Sequence, residues 1–190
     1  MYNILGAVFI ITFFALLAGT VIIKRMGGLN ILVLGVQDRK ELVFWVFYAM
    51  LLYVILSNAT ALPMPEFANK FFFDNESLRI VGVVLSIIGL LGYIVCVASF
   101  WNSFRLGVDY KNAGKLTTTG IYAFSRNPMY MGFFLLFLGE FLIFPNLSLL
   151  IAVIVSVFSI HVQVRREEKF CKSHYGKPYE DYCKKVRRYL

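Results

Sequence analysis

The chain has 190 residues, of which 59% are hydrophobic, 17% aromatic and only 16% charged, and its mean hydropathy is +0.70. A water-soluble domain carries about 45–50% apolar and roughly 25% charged residues, so the excess must face lipid and a soluble globular protein is excluded. The 19 Lys and Arg against 11 Asp and Glu leave a net charge of +8, which in a membrane protein sets topology and meets anionic headgroups rather than nucleic acid.

A helix needs about 20 apolar residues to cross a bilayer with its backbone satisfied internally. Residues 2–23 and 42–62 carry no charge, and residues 78–100 have only Arg79 in the first turn. Residues 128–144 and 147–164 are shorter, contain Glu140 and His161, and are separated by Pro145-Asn146, which predicts a tight helical hairpin. The first segment exceeds a signal-peptide core and lacks a small-residue cleavage site, so it is expected to remain in the mature protein. The expectation is an all-α integral membrane protein of five transmembrane helices in one domain, 1–190, ending in a cytosolic helical segment.

Loop charges give the orientation. Lys24, Arg25, Arg39 and Lys40 lie between the first two spans, Arg105, Lys111, Lys115 and Arg126 before the fourth, and nine more basic residues after Val164. Lys70 and Arg79 fall on the other side. The positive-inside rule then puts the N-terminus outside and the C-terminus in the cytosol. The polar mass lies in the linker 101–127, read as an ordered loop, and in the tail 165–190. That tail sets Phe170, Tyr175, Tyr179 and Tyr182 among charges, as an interfacial amphipathic helix broken at 176–178 would. Cys96, Cys171 and Cys183 show no paired spacing and read as free thiols, with no metal site indicated.

No phosphate loop, HExxH, GxSxG elbow or strand-linked GxGxxG is present, and triplets at Asn58, Asn75 and Asn146 carry little weight as glycosylation signals. Two constellations stand out. In the first, Pro128 suits the first turn of a helix with Asn127 as its cap, and Arg126 offers a fixed positive fork beside free N–H groups. The same Arg and Tyr pattern also suits an interfacial anchor. In the second, His161, Arg165 and Glu168 share one helical face, while Gln163 and Glu167 share the next. A histidine inside the membrane boundary points to function, whereas the charges after it also suit an ordinary helix exit. Glu140 is expected to reach the outer interface.

Taken together, Leu116-Thr117-x-x-Gly120-x-Tyr122, then Arg126-Asn127-Pro128-Met129-Tyr130, a hairpin, Glu167-Glu168 and Tyr175-Gly176-x-x-Tyr179-x-x-Tyr182 resemble the isoprenylcysteine carboxyl methyltransferase family, whose superfamily includes phospholipid N-methyltransferases. The resemblance covers residues 101–188 and implies S-adenosylmethionine as methyl donor. It divides the chain into three N-terminal spans, 1–100, and a methyltransferase core, 101–190. The resemblance implies that Asp109, Gly114, Lys115, Leu116 and Thr117 line the cofactor, that Tyr122, Asn127, Pro128, Met129 and Tyr130 form the opposing wall, and that Glu167 binds its polar groups. Arg126 and Glu168 take the catalytic positions, Arg126 orienting cofactor or acceptor.

Methyl transfer from a sulfonium is an in-line displacement that requires no metal, and aromatic faces and carboxylates suit the positive donor. The acceptor is expected to be an amphiphile whose tail lies among membrane lipids, and Gln163, Arg165 and His161 are its candidate contacts. Gly132 and Gly139 suit helix packing better than a lateral opening. The family's arginine one turn before the first Glu is Gln163 here, and its histidines are replaced by Gly114 and Asn127, which leaves the acceptor open. Alternatives are phospholipid N-methylation, with His161 or Glu168 as base, an NADPH-dependent reductase of sterol type, and a non-enzymatic scaffold or channel binding anionic lipid. Small size and the lack of a retention signal favour a bacterial cytoplasmic membrane over the endoplasmic reticulum.

Overall fold

The computed structural model describes residues 1–26, 42–60, 62–99 and 116–190, without the side chains of 42–45 and 47. The helices are α1 (Tyr2–Met26), α2 (Leu42–Ala59), α3 (Glu66–Asn69), α4 (Glu76–Ser99), α5 (Pro128–Ile143), α6 (Leu147–Tyr175) and α7 (Lys177–Lys185), with a 3-10 turn at Gly120–Ala123. Among the described residues there is no strand, only an antiparallel bridge between Phe71 and Asn146. Three helices, α1, α4 and α6, are long and apolar enough to cross a membrane; the apolar stretches Tyr48–Ala59 and Pro128–Ile143 are shorter.

Unbroken runs of Leu, Ile, Val and Phe make these segments helical in lipid, where no other open backbone satisfies its own hydrogen bonds. Helix α6 continues without a break from the apolar run through the charged one, 29 residues in all. At 1.5 Å per residue it is about 43 Å long against a hydrocarbon core of about 30 Å, so its last turns project beyond the membrane. Gly176, at φ +58°, ends it and turns the chain into α7.

Glycines fix the tightest contact, between α4 and α5. A methyl group on Gly82 would lie 2.7 Å from the Gly139 carbonyl oxygen, and one on Gly89 would lie 2.6 Å from that of Gly132. The backbones therefore touch, and Gly132 and Gly139 serve packing, as expected. Around this seam Phe13 of α1 meets Phe133 of α5 at 4.9 Å and Tyr93 of α4 at 5.7 Å, both edge to face.

Asn146 organises the hairpin end. Its side chain is fully buried: Oδ1 accepts from the Leu149 amide at 2.9 Å, which caps α6, and Nδ2 donates to Asn58 of α2 and to Asn69 of α3, the latter at 3.2 Å. Glu140 corrects the sequence reading. It is 0% exposed rather than at the interface, because Gly6 lets α1 descend onto it: a Cβ at Gly6 would sit 2.9 Å from Glu140 Oε2 and 2.4 Å from the Phe144 ring.

Candidate functional site

The site forms where α5 begins and α6 projects. Gly120, at φ +64°, takes a backbone conformation that L side chains rarely adopt and starts the 3-10 turn. The chain then passes Ser125 to Asn127 and begins α5 at Pro128, whose missing N–H costs nothing there. Asn127 precedes the helix but its side chain does not cap it. Its Nδ2 donates instead to the Arg188 carbonyl at 3.1 Å, and its own amide donates to Ser125 Oγ at 3.1 Å. The side chain is turned to a segment far along the chain.

That segment is a strap, residues 186–190, which runs from the end of α7 back across the start of α5. The Arg126 amide donates to the Arg187 carbonyl at 3.0 Å, and Ser125 Oγ donates to that of Arg188 at 3.3 Å. Side chains lock it further. The Glu168 carboxylate takes Arg126 Nη2 at 2.8 Å and Arg188 Nη2 and Nε at 2.7 and 2.9 Å. Only 11% of the Arg126 side chain and 13% of that of Glu168 are exposed. The hydrogen bond to Glu168 holds the Arg188 guanidinium above its ordinary pKa.

A second knot lies beside the first. Tyr130 of α5 donates to Glu167 Oε1 at 2.8 Å, and Gln163 Nε2 donates to the same oxygen at 3.1 Å. Gln163 is 5% exposed, and its Oε1 has no hydrogen-bond partner. Tyr182 of α7 donates to the Tyr122 carbonyl at 2.6 Å. Burial lifts the Tyr122 phenol well above its ordinary pKa, with nearby Cys96 and Glu167 adding to the rise. Burial also pushes Tyr182 up to about 12, against the pull of Arg126. The result is an acceptor-rich cluster of carboxylate, amide oxygen and neutral tyrosine rings.

Structure therefore brings together Tyr122, Arg126, Asn127, Pro128, Met129, Tyr130, Gln163, Glu167 and Glu168 from the 3-10 turn, the start of α5 and the projecting part of α6. Leu116 and Thr117 are half-buried just ahead of the turn. Asp109, Gly114 and Lys115 lie outside the described residues. Arg165 is exposed, and His161 turns to the strap, its Nδ1 3.0 Å from the Tyr189 hydroxyl. Sequence reasoning missed Ser125, Arg188 and Tyr189. The dense basic and aromatic ending was their one visible signal, and it reads equally as a solvated tail.

The sequence profile of the phospholipid methyltransferase family matches residues 78–178. This chain belongs to that family. The methyltransferase is also similar to several named proteins. A probable protein-S-isoprenylcysteine O-methyltransferase of Oryza sativa subsp. indica is 28% identical over 163 residues, 84% of this chain and 81% of the relative. Protein-S-isoprenylcysteine O-methyltransferase of Saccharomyces cerevisiae is 32% identical over 110 residues, 56% of this chain and 46% of the relative. The Schizosaccharomyces pombe protein of that name is 38% identical over 73 residues, 37% of this chain and 30% of the relative. No solved structure matches. The family match of this membrane methyltransferase runs from α4 to the first residues of α7 and takes in Tyr122, Arg126, Tyr130, Gln163, Glu167 and Glu168, but stops short of Tyr182 and the strap.

Proposed function

We propose that this chain is an S-adenosylmethionine-dependent methyltransferase that esterifies the carboxylate of a prenylated cysteine or a closely similar lipid-modified acceptor. The observation that carries the reading is the Glu167 knot, held by Tyr130 and Gln163 within the family match. The residues fit the donor. A buried carbonyl oxygen without a partner costs about 1–3 kcal/mol, and Gln163 Oε1 calls for an N–H or O–H from a ligand. A neighbouring carboxylate and neutral tyrosine faces favour a cationic one.

Bound donor would supply a methyl group on a positive sulfonium, to be taken by the acceptor's carboxylate oxygen with the electron pair of the C–S bond left on sulfur. No proton is released from an ionised carboxylate, so the protein needs no base for this acceptor. Glu167 and Gln163 hold the donor's polar groups. Tyr122 and Tyr130 would wall it, with Leu116 and Thr117; Asp109, Gly114 and Lys115, which the resemblance adds to the donor site, lie outside the described residues. Arg126 and Glu168 act by positioning, since they pair with each other while Glu168 also takes Arg188 and so fastens the strap. The start of α5 and the projecting part of α6 are thereby held in a fixed relation, which would preset the geometry of the displacement. Five spans, with α2 and α5 crossing as well, put this site on the cytosolic face by the distribution of basic residues.

Phospholipid N-methylation is the second reading, favoured by the phospholipid methyltransferase profile that matches residues 78–178. The test is to offer purified enzyme an S-farnesylated N-acetylcysteine and phosphatidylethanolamine in parallel with labelled donor. Base-labile methyl ester on the first alone supports the proposal; label on the amine alone replaces it with the second reading.

A further inference from the structure

We propose that the outer side of the strap, where exposed Phe124 and Leu190 lie among the cations Arg165, Lys169, Lys185 and Arg187, is a docking surface for anionic lipid headgroups of the adjoining leaflet.

Contacts set the depth of this patch. The Tyr189 ring lies 5.4 Å from the Phe134 ring of α5 and 6.1 Å from the His161 ring of α6, both in the apolar runs of their helices. The end of the strap is therefore at the rim of the membrane and not out in solvent. The Arg126 amide bonds the Arg187 carbonyl and Ser125 Oγ bonds that of Arg188, so the two segments run antiparallel and Phe124 comes beside residues 189–190. Phe124 is 78% exposed and Leu190 77%. At 1.5 Å per residue Arg165 lies about 27 Å along α6 and Lys169 about 33 Å, on either side of the edge of a hydrocarbon core about 30 Å thick. Apolar side chains exposed at that depth enter the boundary between headgroups and acyl chains.

Charge selects the lipid. Lys172 pairs with Glu180, and Lys177 and Lys184 pair with Asp181, while Arg126 and Arg188 are taken by Glu168. Arg165, Lys169, Lys185 and Arg187 are exposed and make no ion pair among the described residues. Arg165 and Lys169 follow His161 at successive steps of four, so they continue the stripe of α6 on which Tyr189 sits. Arg187 is on the strap itself: its carbonyl holds the Arg126 amide and its side chain is left in the open. Uncompensated cations around an exposed aromatic ring suit a phosphate-bearing, negatively charged headgroup better than a zwitterionic one.

The test uses the full-length protein in nanodiscs of equal parts phosphatidylcholine and phosphatidylglycerol, with the lipids that stay bound on release counted by native mass spectrometry. Wild type should retain phosphatidylglycerol over phosphatidylcholine by about fivefold or more. Lys169→Gln/Arg187→Gln should remove most of that preference, and Lys169→Arg/Arg187→Lys should keep it. Lys172→Gln/Lys177→Gln removes the same charge from paired sites and should keep it too. Phe124→Ser should lower the phosphatidylglycerol retained, since a lipid meets that ring and a free phosphate does not. Equal retention of both lipids by wild type would overturn the inference. So would an equal loss in the paired-lysine variant, which would reduce the effect to overall charge. Retention untouched by Phe124→Ser and displaced by inorganic phosphate would overturn it as well, leaving an anion site in place of a lipid surface.

Discussion

Tyr130 and Glu167 stand 37 residues apart in sequence, yet the Tyr130 hydroxyl donates to Glu167 Oε1 across 2.8 Å. This bond joins the first turn of α5 to the projecting part of α6 and fixes the carboxylate. Tyr130→Phe would keep the ring edge-on to Phe133 and delete only the donor. Affinity for S-adenosylhomocysteine should fall about tenfold, equal to about 1.4 kcal/mol, with the melting temperature nearly unchanged. Calorimetric titration checks it, and undiminished affinity would separate Tyr130 from the donor site.

The arginines that flank Glu168 should not be equivalent. Arg126 is 11% exposed and Arg188 is 38% exposed, so solvent screens the second pair more. Removing one partner of a buried ion pair costs about 3–5 kcal/mol, and an exposed pair contributes about 0–1. Arg126→Ala should therefore lower thermal stability clearly more than Arg188→Ala, read by unfolding in detergent. The opposite order would mean that the strap, and not the pairing to α5, carries the stability.

A contrast between two glycines tests the helix seam. A Cβ on Gly139 would meet the Gly82 carbonyl at 2.5 Å and Ser86 Oγ at 2.4 Å, whereas nothing lies within 4 Å of one on Gly19. Gly139→Ala should cost about 1–3 kcal/mol by overpacking, and Gly19→Ala should be neutral or slightly stabilising. Thermal melts of the two variants side by side decide the point.

Alkaline pH probes the contact of α7. The folded Tyr182 phenol is raised from 10.0 to about 12, chiefly by burial, so the fold favours its neutral form. That contribution is complete below the unfolded value, near pH 10, and is lost as pH rises through about 12. The stability gap between wild type and Tyr182→Phe should be widest below pH 10 and should close by about pH 12, followed by circular dichroism. A gap that widens with alkali would contradict a neutral, donating Tyr182.

Much of this was legible in local pattern. The apolar runs marked the helices, Pro145-Asn146 marked the hairpin, and the one-turn spacing of Gln163 and Glu167 marked their contact. Other features depend on approach in space. Glu140 lay near a helix end in sequence, and only the descent of α1 at Gly6 enclosed it. Asn127 had the residue type and place of a cap, but the Arg188 carbonyl competed for its side chain. Arg188 and Tyr189 gave no periodic signal, because a strap owes its position to the groups it crosses rather than to its own sequence.

The central claim is that Glu167 holds the methyl donor. Isothermal titration of S-adenosylhomocysteine into the lipid-reconstituted protein, beside Glu167→Ala, tests it most directly. The account predicts saturable binding that the substitution weakens about tenfold or more, equal to at least about 1.4 kcal/mol, while the variant melts like wild type. Equal binding by a folded Glu167→Ala protein, or no binding by wild type, would contradict it.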